Sequence, residues 1–413
     1  MTDNTYTITA PEVLDAVPAL PASKSISNRA LILHALAGGT HMPENLSDCD
    51  DTRVMTAALA GRPQVVDIMA AGTAMRFLTA YFSTCDGEEH IMTGTERMRH
   101  RPIAILVDAL RQLGADISYV GEEGFPPLRI RGRRLSAVPL SIPGSVSSQY
   151  ISALLMIAPV LDGGLDLRLT GSMVSRPYID LTLRLMRHYG ATADWTATDS
   201  LHVDGGGYRD VPCTVENDWS AASYWYEAAA LSGGRVSLKG LFADSGQGDS
   251  RGADLFRKLG VETEFCADGS VVVSGGRMAT DMLDANLVDM PDLAQTFVVT
   301  CCLMGVRFRF GGLQSLRIKE TDRMAALTAE LQKLGYVLRT EGDDTLLWDG
   351  TRCAPASQPV IKTYEDHRMA MAFAPAALRL PSGIRIANPQ VVSKSYPAYW
   401  DALSSAGFHI STF

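Results

Sequence analysis

The 413-residue chain is 46 % hydrophobic and 20 % charged, with a net charge of −9. That is the composition of a globular protein, too long for one typical core, and it predicts two domains. The acidic balance excludes a general nucleic-acid or membrane-surface binder, and apolar runs such as YISALLMIAPVL fall short of the roughly 18 residues of a membrane span.

In chain order, the first segment, MTDNTYTITAPEVLD, has neither the basic nor the apolar region of a signal peptide. The seven cysteines are odd in number and lack CxxC spacing. Both observations predict a cytoplasmic, reduced chain with buried thiols, and no zinc-type ligand pattern occurs. Next comes PASKSISNRALILHALAGG, Pro21 to Gly39, which sets Lys24 between Ser23 and Ser25 at the start of an almost wholly apolar helix. Two readings stay open for it. Ser23 or Ser25 is an N-cap beside a solvated Lys24, or the free N–H groups and the helix dipole hold an anion.

The same pattern recurs in GTAMRFLTAYF, SVSSQYISALLMIAPVL, DWSAASYWYEAAAL, PDLAQTFVVTCCLMG and EDHRMAMAFAPAAL. Markers at Ser25, Gly72, Ser147, Asp218, Asp292 and Asp366 are separated by 47, 75, 71, 74 and 74 residues. Between them lie amphipathic helices that end at Gly, such as AILVDALRQLGA and YIDLTLRLMRHYGA, and short strands closed by Gly turns, such as LHVDGGG. The expectation is six α/β units, three per domain, each with one buried apolar helix whose polar start alone reaches solvent or a ligand. The short first interval predicts a hairpin lost between Thr52 and Gly72, which we assign to the unit of AGTAMR.

If the helix starts share a surface, Lys24, Arg29, Arg76, Arg368, the arginines of TERMRHRP and those of RIKETDR gather there with hydroxyl groups. Arg offers bidentate hydrogen bonds and Lys a mobile point charge, so phosphate or carboxylate ligands are expected. Asp292 and Glu320 would sit among these cations, which favour their ionised forms and suit a proton acceptor or shuttle. An N-cap for Asp292 and a helix-start ion pair for Glu320 are the plainer readings.

SKSISNRAL, AGTAMR, ERMRHRP, GSVSSQY, VSRPY, IKETDR, DHRMAM and KSYP follow in this order and closely resemble the 5-enolpyruvylshikimate-3-phosphate synthase family from about Pro21 to Pro397. The resemblance implies an α/β fold of two similar domains, each of three βαβαββ units in an inside-out barrel. One domain would be continuous, 22–216; the other would join 1–21 to 217–413, with the active site in the cleft between them. It further implies transfer of the enolpyruvyl group of phosphoenolpyruvate to the 5-hydroxyl of shikimate 3-phosphate, releasing phosphate. Small-molecule substrates, a monomer, and no cofactor, metal, nucleic-acid or membrane partner are the corresponding expectations.

Carried over by motif, Lys24 would touch both substrates and the reacting hydroxyl. Ser25, Arg29, Ser147, Ser148, Ser175, Tyr178 and Lys319 would bind shikimate 3-phosphate, and Gln149 would touch both ligands. Gly72, Arg101, Arg323, Arg368 and Lys394 would hold phosphoenolpyruvate. Asp292, also at the shikimate side, would accept the 5-hydroxyl proton, and Glu320 would serve carbon protonation and deprotonation. Three positions depart from the family's usual pattern: Ala70 for Asn and Phe77 for Pro around AGTAMR, and Ser315 for Asn before RIKETDR. Two alternatives are a UDP-N-acetylglucosamine enolpyruvyl transferase and a non-catalytic anion-binding relative. Against the first, the chain has no Cys between Cys85 and Cys213, where that family usually carries a reactive one.

Overall fold

The computed structural model describes residues 4–145, 147–319 and 321–412. The chain divides into two compact units, Ala22–Glu216 and Met1–Pro21 with Asn217–Phe413, each with its own hydrophobic core.

In the continuous unit, apolar helices α1 (Lys24–Leu36), α3 (Gly72–Ser83) and α6 (Ser148–Ile157) pack on one another at the centre. Every residue of α3 is buried, as an all-apolar helix requires. Outside them run α2 (Asp50–Gly61), α5 (Ala104–Gln112) and α7 (Arg176–His188), with the single turn α4 (Glu96–Arg99) between α3 and α5. Two four-stranded sheets cover this core. One has the order Val65–Asp67, Glu89–Thr93, Leu128–Arg131, Asp116–Tyr119; the other runs Leu140–Pro143, Leu165–Thr170, Ser200–Val203, Ala193–Ala197. In both, the first pair is parallel and the rest antiparallel. The reason is connectivity: a buried helix carries the chain between the parallel strands, and a hairpin ends the unit.

Residues 22–61 form the third unit of this domain. Among the described residues they supply α1 and α2 and no strand, only a lone bridge from Glu44 to Thr214. The assignment of the lost hairpin to the AGTAMR unit is therefore wrong. Gly72 opens a unit with a complete sheet, and the loss falls directly after α2. Marker spacing misleads here because a hairpin closing one unit lies just upstream of the next unit's helix. The helix endings agree. After α5 and α7 the chain turns through Gly114 and Gly190 at φ +97° and +87° into a hairpin, a left-handed bend that glycine adopts freely. After α2 the left-handed residue is Arg62, at φ +41°.

The discontinuous unit repeats the plan three times. Its central helices are α8 (Trp219–Ser232), α10 (Ala294–Met304) and α12 (His367–Phe373), packed on one another, with α9 (Gly252–Lys258), α11 (Arg323–Lys333) and α13 (Tyr399–Ser405) as their amphipathic partners. The sheet orders are Val261–Phe265, Ser270–Gly275, Arg235–Lys239, Asp15–Ala16; Met282–Asn286, Arg307–Gly311, Thr345–Trp348, Arg339–Glu341; and Val360–Ile361, Ile384–Ala387, Thr5–Thr9, His409–Thr412. The last sheet is built from both ends of the chain, with Thr5–Thr9 pairing antiparallel to both neighbours. Where the chain leaves one unit for the other, Ser23 N–H donates to the Glu216 carbonyl (2.8 Å), and Asp218 N–H donates to the Pro21 carbonyl (2.9 Å). No helix among the described residues is long and apolar enough to cross a membrane.

Candidate active site

In the continuous unit, the motif SKSISN divides its labour. Ser23 is the N-cap of α1, its Oγ accepting the Ile26 N–H at 3.4 Å. Ser27 Oγ accepts the Ser47 N–H (2.9 Å), and Asn28 Oδ1 accepts the Thr52 hydroxyl (2.9 Å). These three are buried and fix the helix. Lys24 and Ser25 are left half-exposed in the first turn, where N–H groups have no intrahelical acceptor. One turn on, Arg29 is only 2 % exposed. It donates to Thr182 Oγ1 (2.7 Å), the Ser25 carbonyl (2.9 Å), Ser152 Oγ (3.1 Å) and the Tyr178 carbonyl (3.4 Å). All are neutral oxygens, and burial pulls its pKa down to about 10, which still leaves a cation at neutral pH.

The start of α3 explains Gly72. A Cβ there would lie 2.5 Å from Arg101 Nη1 and 2.9 Å from Arg76 Nη1, so any side chain would push these guanidinium groups out of place. Arg76 donates to the Gly72 carbonyl (2.8 Å) and stacks toward the Tyr150 ring (5.7 Å), while its buried Nε has no hydrogen-bond partner. Tyr150 in turn donates to the Pro102 carbonyl (2.5 Å), anchoring the loop that carries Arg101. Ser147 caps α6 by accepting the Gln149 N–H (3.3 Å), and Gln149 Nε2 reaches Thr73 Oγ1 (3.1 Å) across to α3. Ser148 is buried beside them. Ser175 holds φ +56° at the start of α7, and Tyr178 follows within its first turn. The hydrogen bonds of Arg29 tie α1 to α6 and α7, and the Gln149–Thr73 bond ties α6 to α3.

The discontinuous unit assembles a second cluster around Asp292, in the 3₁₀ turn Pro291–Leu293 before α10. Its carboxylate accepts from Arg323 Nη1 (3.0 Å) and Arg368 Nη2 (2.9 Å), and Lys319 Nζ is 3.8 Å away. The ion-pair geometry replaces the plain N-cap reading. Arg368 also donates to the Asp292 carbonyl (3.1 Å) and approaches the Tyr224 hydroxyl (3.5 Å). Lys394 ends the segment Pro389–Lys394, which packs on α12. Glu320 lies outside the described residues.

Two carboxylates in this cluster escaped the sequence reading. Asp366 is fully buried, binds Arg323 Nε (2.7 Å), and caps α12 through the Arg368 N–H (2.9 Å). It therefore holds both arginines, and its only signal was its place as a helix marker. Asp249 accepts the Ser220 hydroxyl with one oxygen and leaves the other buried and unpartnered. Burial, then the charge of Asp292, lifts its pKa to about 7. Arg323, Arg368 and Lys319 thus gather around Asp292, with Arg323 also bound to Asp366, a grouping of cations of the kind that holds an anionic ligand.

A family model for EPSP synthase (3-phosphoshikimate 1-carboxyvinyltransferase) matches residues 59–403. The chain belongs to the EPSP synthase family. A 3-phosphoshikimate 1-carboxyvinyltransferase of Bacteroides fragilis is 61 % identical over 406 residues, 98 % of each chain. Its counterpart from Shewanella halifaxensis is 38 % identical over 414 residues, covering 94 % of this chain and 95 % of that one. A solved EPSP synthase structure from Acinetobacter baumannii shares the fold, with a TM-score of 0.79 at 20 % identity over 99 % of this chain and 100 % of that one. The α/β fold expected from the motifs is thereby established, and the protein is an enzyme of EPSP synthase activity, enolpyruvyl transfer in the shikimate pathway. The UDP-N-acetylglucosamine transferase and non-catalytic alternatives fall away.

Proposed function

We propose that the two clusters are the two walls of one substrate site, in a cleft between the units, where shikimate 3-phosphate and phosphoenolpyruvate meet. The observation that carries this reading is Asp292, a carboxylate held by Arg323 and Arg368 with Lys319 beside it. Asp292 takes the proton of the 5-hydroxyl as that oxygen bonds to the enol carbon of phosphoenolpyruvate, while the methylene carbon gains a proton. The tetrahedral intermediate then loses a proton from that carbon, and the C–O bond to phosphate breaks. Arg323, Arg368 and Lys394 on one wall, with Gly72 and Arg101 on the other, hold the phosphate and carboxylate of the donor. Lys24, Ser25, Arg29, Ser147, Ser148, Ser175, Tyr178 and Lys319 hold the acceptor, and Gln149 touches both. Fixed cations around developing negative charge supply the electrostatic part of catalysis. Glu320 is assigned the proton traffic at carbon. The enzyme is read as a cytoplasmic monomer that works without cofactor or metal.

The test is phosphate release from phosphoenolpyruvate, with shikimate 3-phosphate and UDP-N-acetylglucosamine in parallel. Release with shikimate 3-phosphate alone, matched by enolpyruvyl product in mass spectrometry, is the expected result. Release with the nucleotide sugar, or with neither acceptor, refutes the reading.

A further inference from the structure

Arg29 is a buried cation whose hydrogen bonds all go to neutral oxygens. Something else must keep so large a charge in place, because a desolvated guanidinium without compensation is costly. Its Cζ lies 5.2 Å from the ring centroid of Phe77 and 6.0 Å from that of Tyr178. Phe77 is fully buried in α3, five residues after Gly72.

We propose that Phe77 is a positioning residue for the acceptor: its ring face holds the Arg29 guanidinium by a cation–π contact without neutralising it. A carboxylate at the same place would also fix the arginine, but would consume the charge that an anionic substrate needs. An aromatic face attracts the cation through its quadrupole and carries no net charge. Arg29 keeps its full positive charge for shikimate 3-phosphate and is spared the search for a rotamer on binding. The contact also locks α1 to α3, so the helix that presents Arg29 and the helix that begins at Gly72 move together.

The inference rests on the proposed role of Arg29 in binding shikimate 3-phosphate, and the experiment separates the two. Phe77 is replaced by mono-, di- and trifluorinated phenylalanine, which drains the ring quadrupole stepwise while nearly preserving shape. Phe77→Leu and Arg29→Gln complete the set. Each protein is assayed for KM of either substrate, kcat, and Tm. The expected result is a logarithmic rise of KM for shikimate 3-phosphate with each fluorine, reaching about 2- to 30-fold overall. KM for phosphoenolpyruvate and kcat should move less than about twofold, and Phe77→Leu should resemble the trifluorinated protein. A flat fluorine series alongside a raised KM in Arg29→Gln shows that Phe77 only fills space, and overturns the proposal. An unchanged KM in Arg29→Gln removes the role of Arg29 itself, and the proposal with it. Should Phe77→Leu fail to fold, the fluorine series still decides.

Discussion

In the proposed mechanism Asp292 has two tasks that pull in different directions: it pairs with Arg323 and Arg368, and it receives a proton. Removing it unmasks Arg323 and Arg368 while deleting the base. Asp292→Ala is therefore expected to lower kcat by about 10²- to 10⁴-fold, the usual range for general acid–base groups, while substrate anions still bind. Steady-state kinetics beside calorimetric titration would check this, and a full kcat at saturating substrate would remove the assignment. Asp249 makes a separate prediction. Its carboxyl titrates near 3.9 in an unfolded chain and at about 7 when folded, chiefly because it is buried and then because Asp292 is near, with Arg368 opposing. The stability it contributes is complete below about pH 4 and is lost as the pH rises through about 7, at about 1.4 kcal/mol per unit. Asp249→Asn should flatten that decline between pH 4 and 7 in urea unfolding, and parallel curves would contradict it. Nothing local in QGDSRG announced this group. Its state depends on Ser220, Asp292 and Arg368, which only folding brings together, whereas the cap of α1 at Ser23 was legible because its partner lies three residues on.

At the scale of elements, the helix starts were the most readable feature. Ser147, Asp218 and Asp366 do cap α6, α8 and α12, since a cap is decided within a few residues. The end of α2 was not readable, because a missing hairpin leaves no residues to interpret. There Arg62 takes a left-handed conformation and extends its guanidinium to Glu88, the Tyr81 hydroxyl and the Tyr81 ring face, 5.7 Å away. It thereby ties the end of α2 to α3 and to Glu88, just before the strand Glu89–Thr93. Arg62→Ala should cost about 1 kcal/mol, since it keeps the strained backbone and loses these partly exposed contacts. Arg62→Gly should be nearly neutral, because relief of the left-handed strain offsets the same loss. Chemical denaturation midpoints would show the difference, and equal destabilisation by both would refute the argument.

At the scale of the whole molecule, the proposed two-walled site predicts that substrates draw the units together. Solution scattering should show a smaller radius of gyration with both substrates than with neither; an unchanged profile would count against closure. The sheet made from both chain ends offers another test. Deleting residues 1–10 removes Thr5–Thr9 from between Ile384–Ala387 and His409–Thr412, exposing two sheet edges. The discontinuous unit should lose its cooperative unfolding transition while the core of 22–216 keeps its own, as hydrogen exchange would resolve; full protection in 217–413 would contradict this. The same arrangement sets an order in time. Residues 22–216 form a cassette whose ends meet at Ser23 and Glu216, so that unit is complete when little more than half the chain has left the ribosome. The strand Thr5–Thr9, made before that unit, finds neither partner until Ile384–Ala387 and His409–Thr412 are made. For nearly half of its synthesis, the chain carries the strand Thr5–Thr9 unpaired beside a domain already finished.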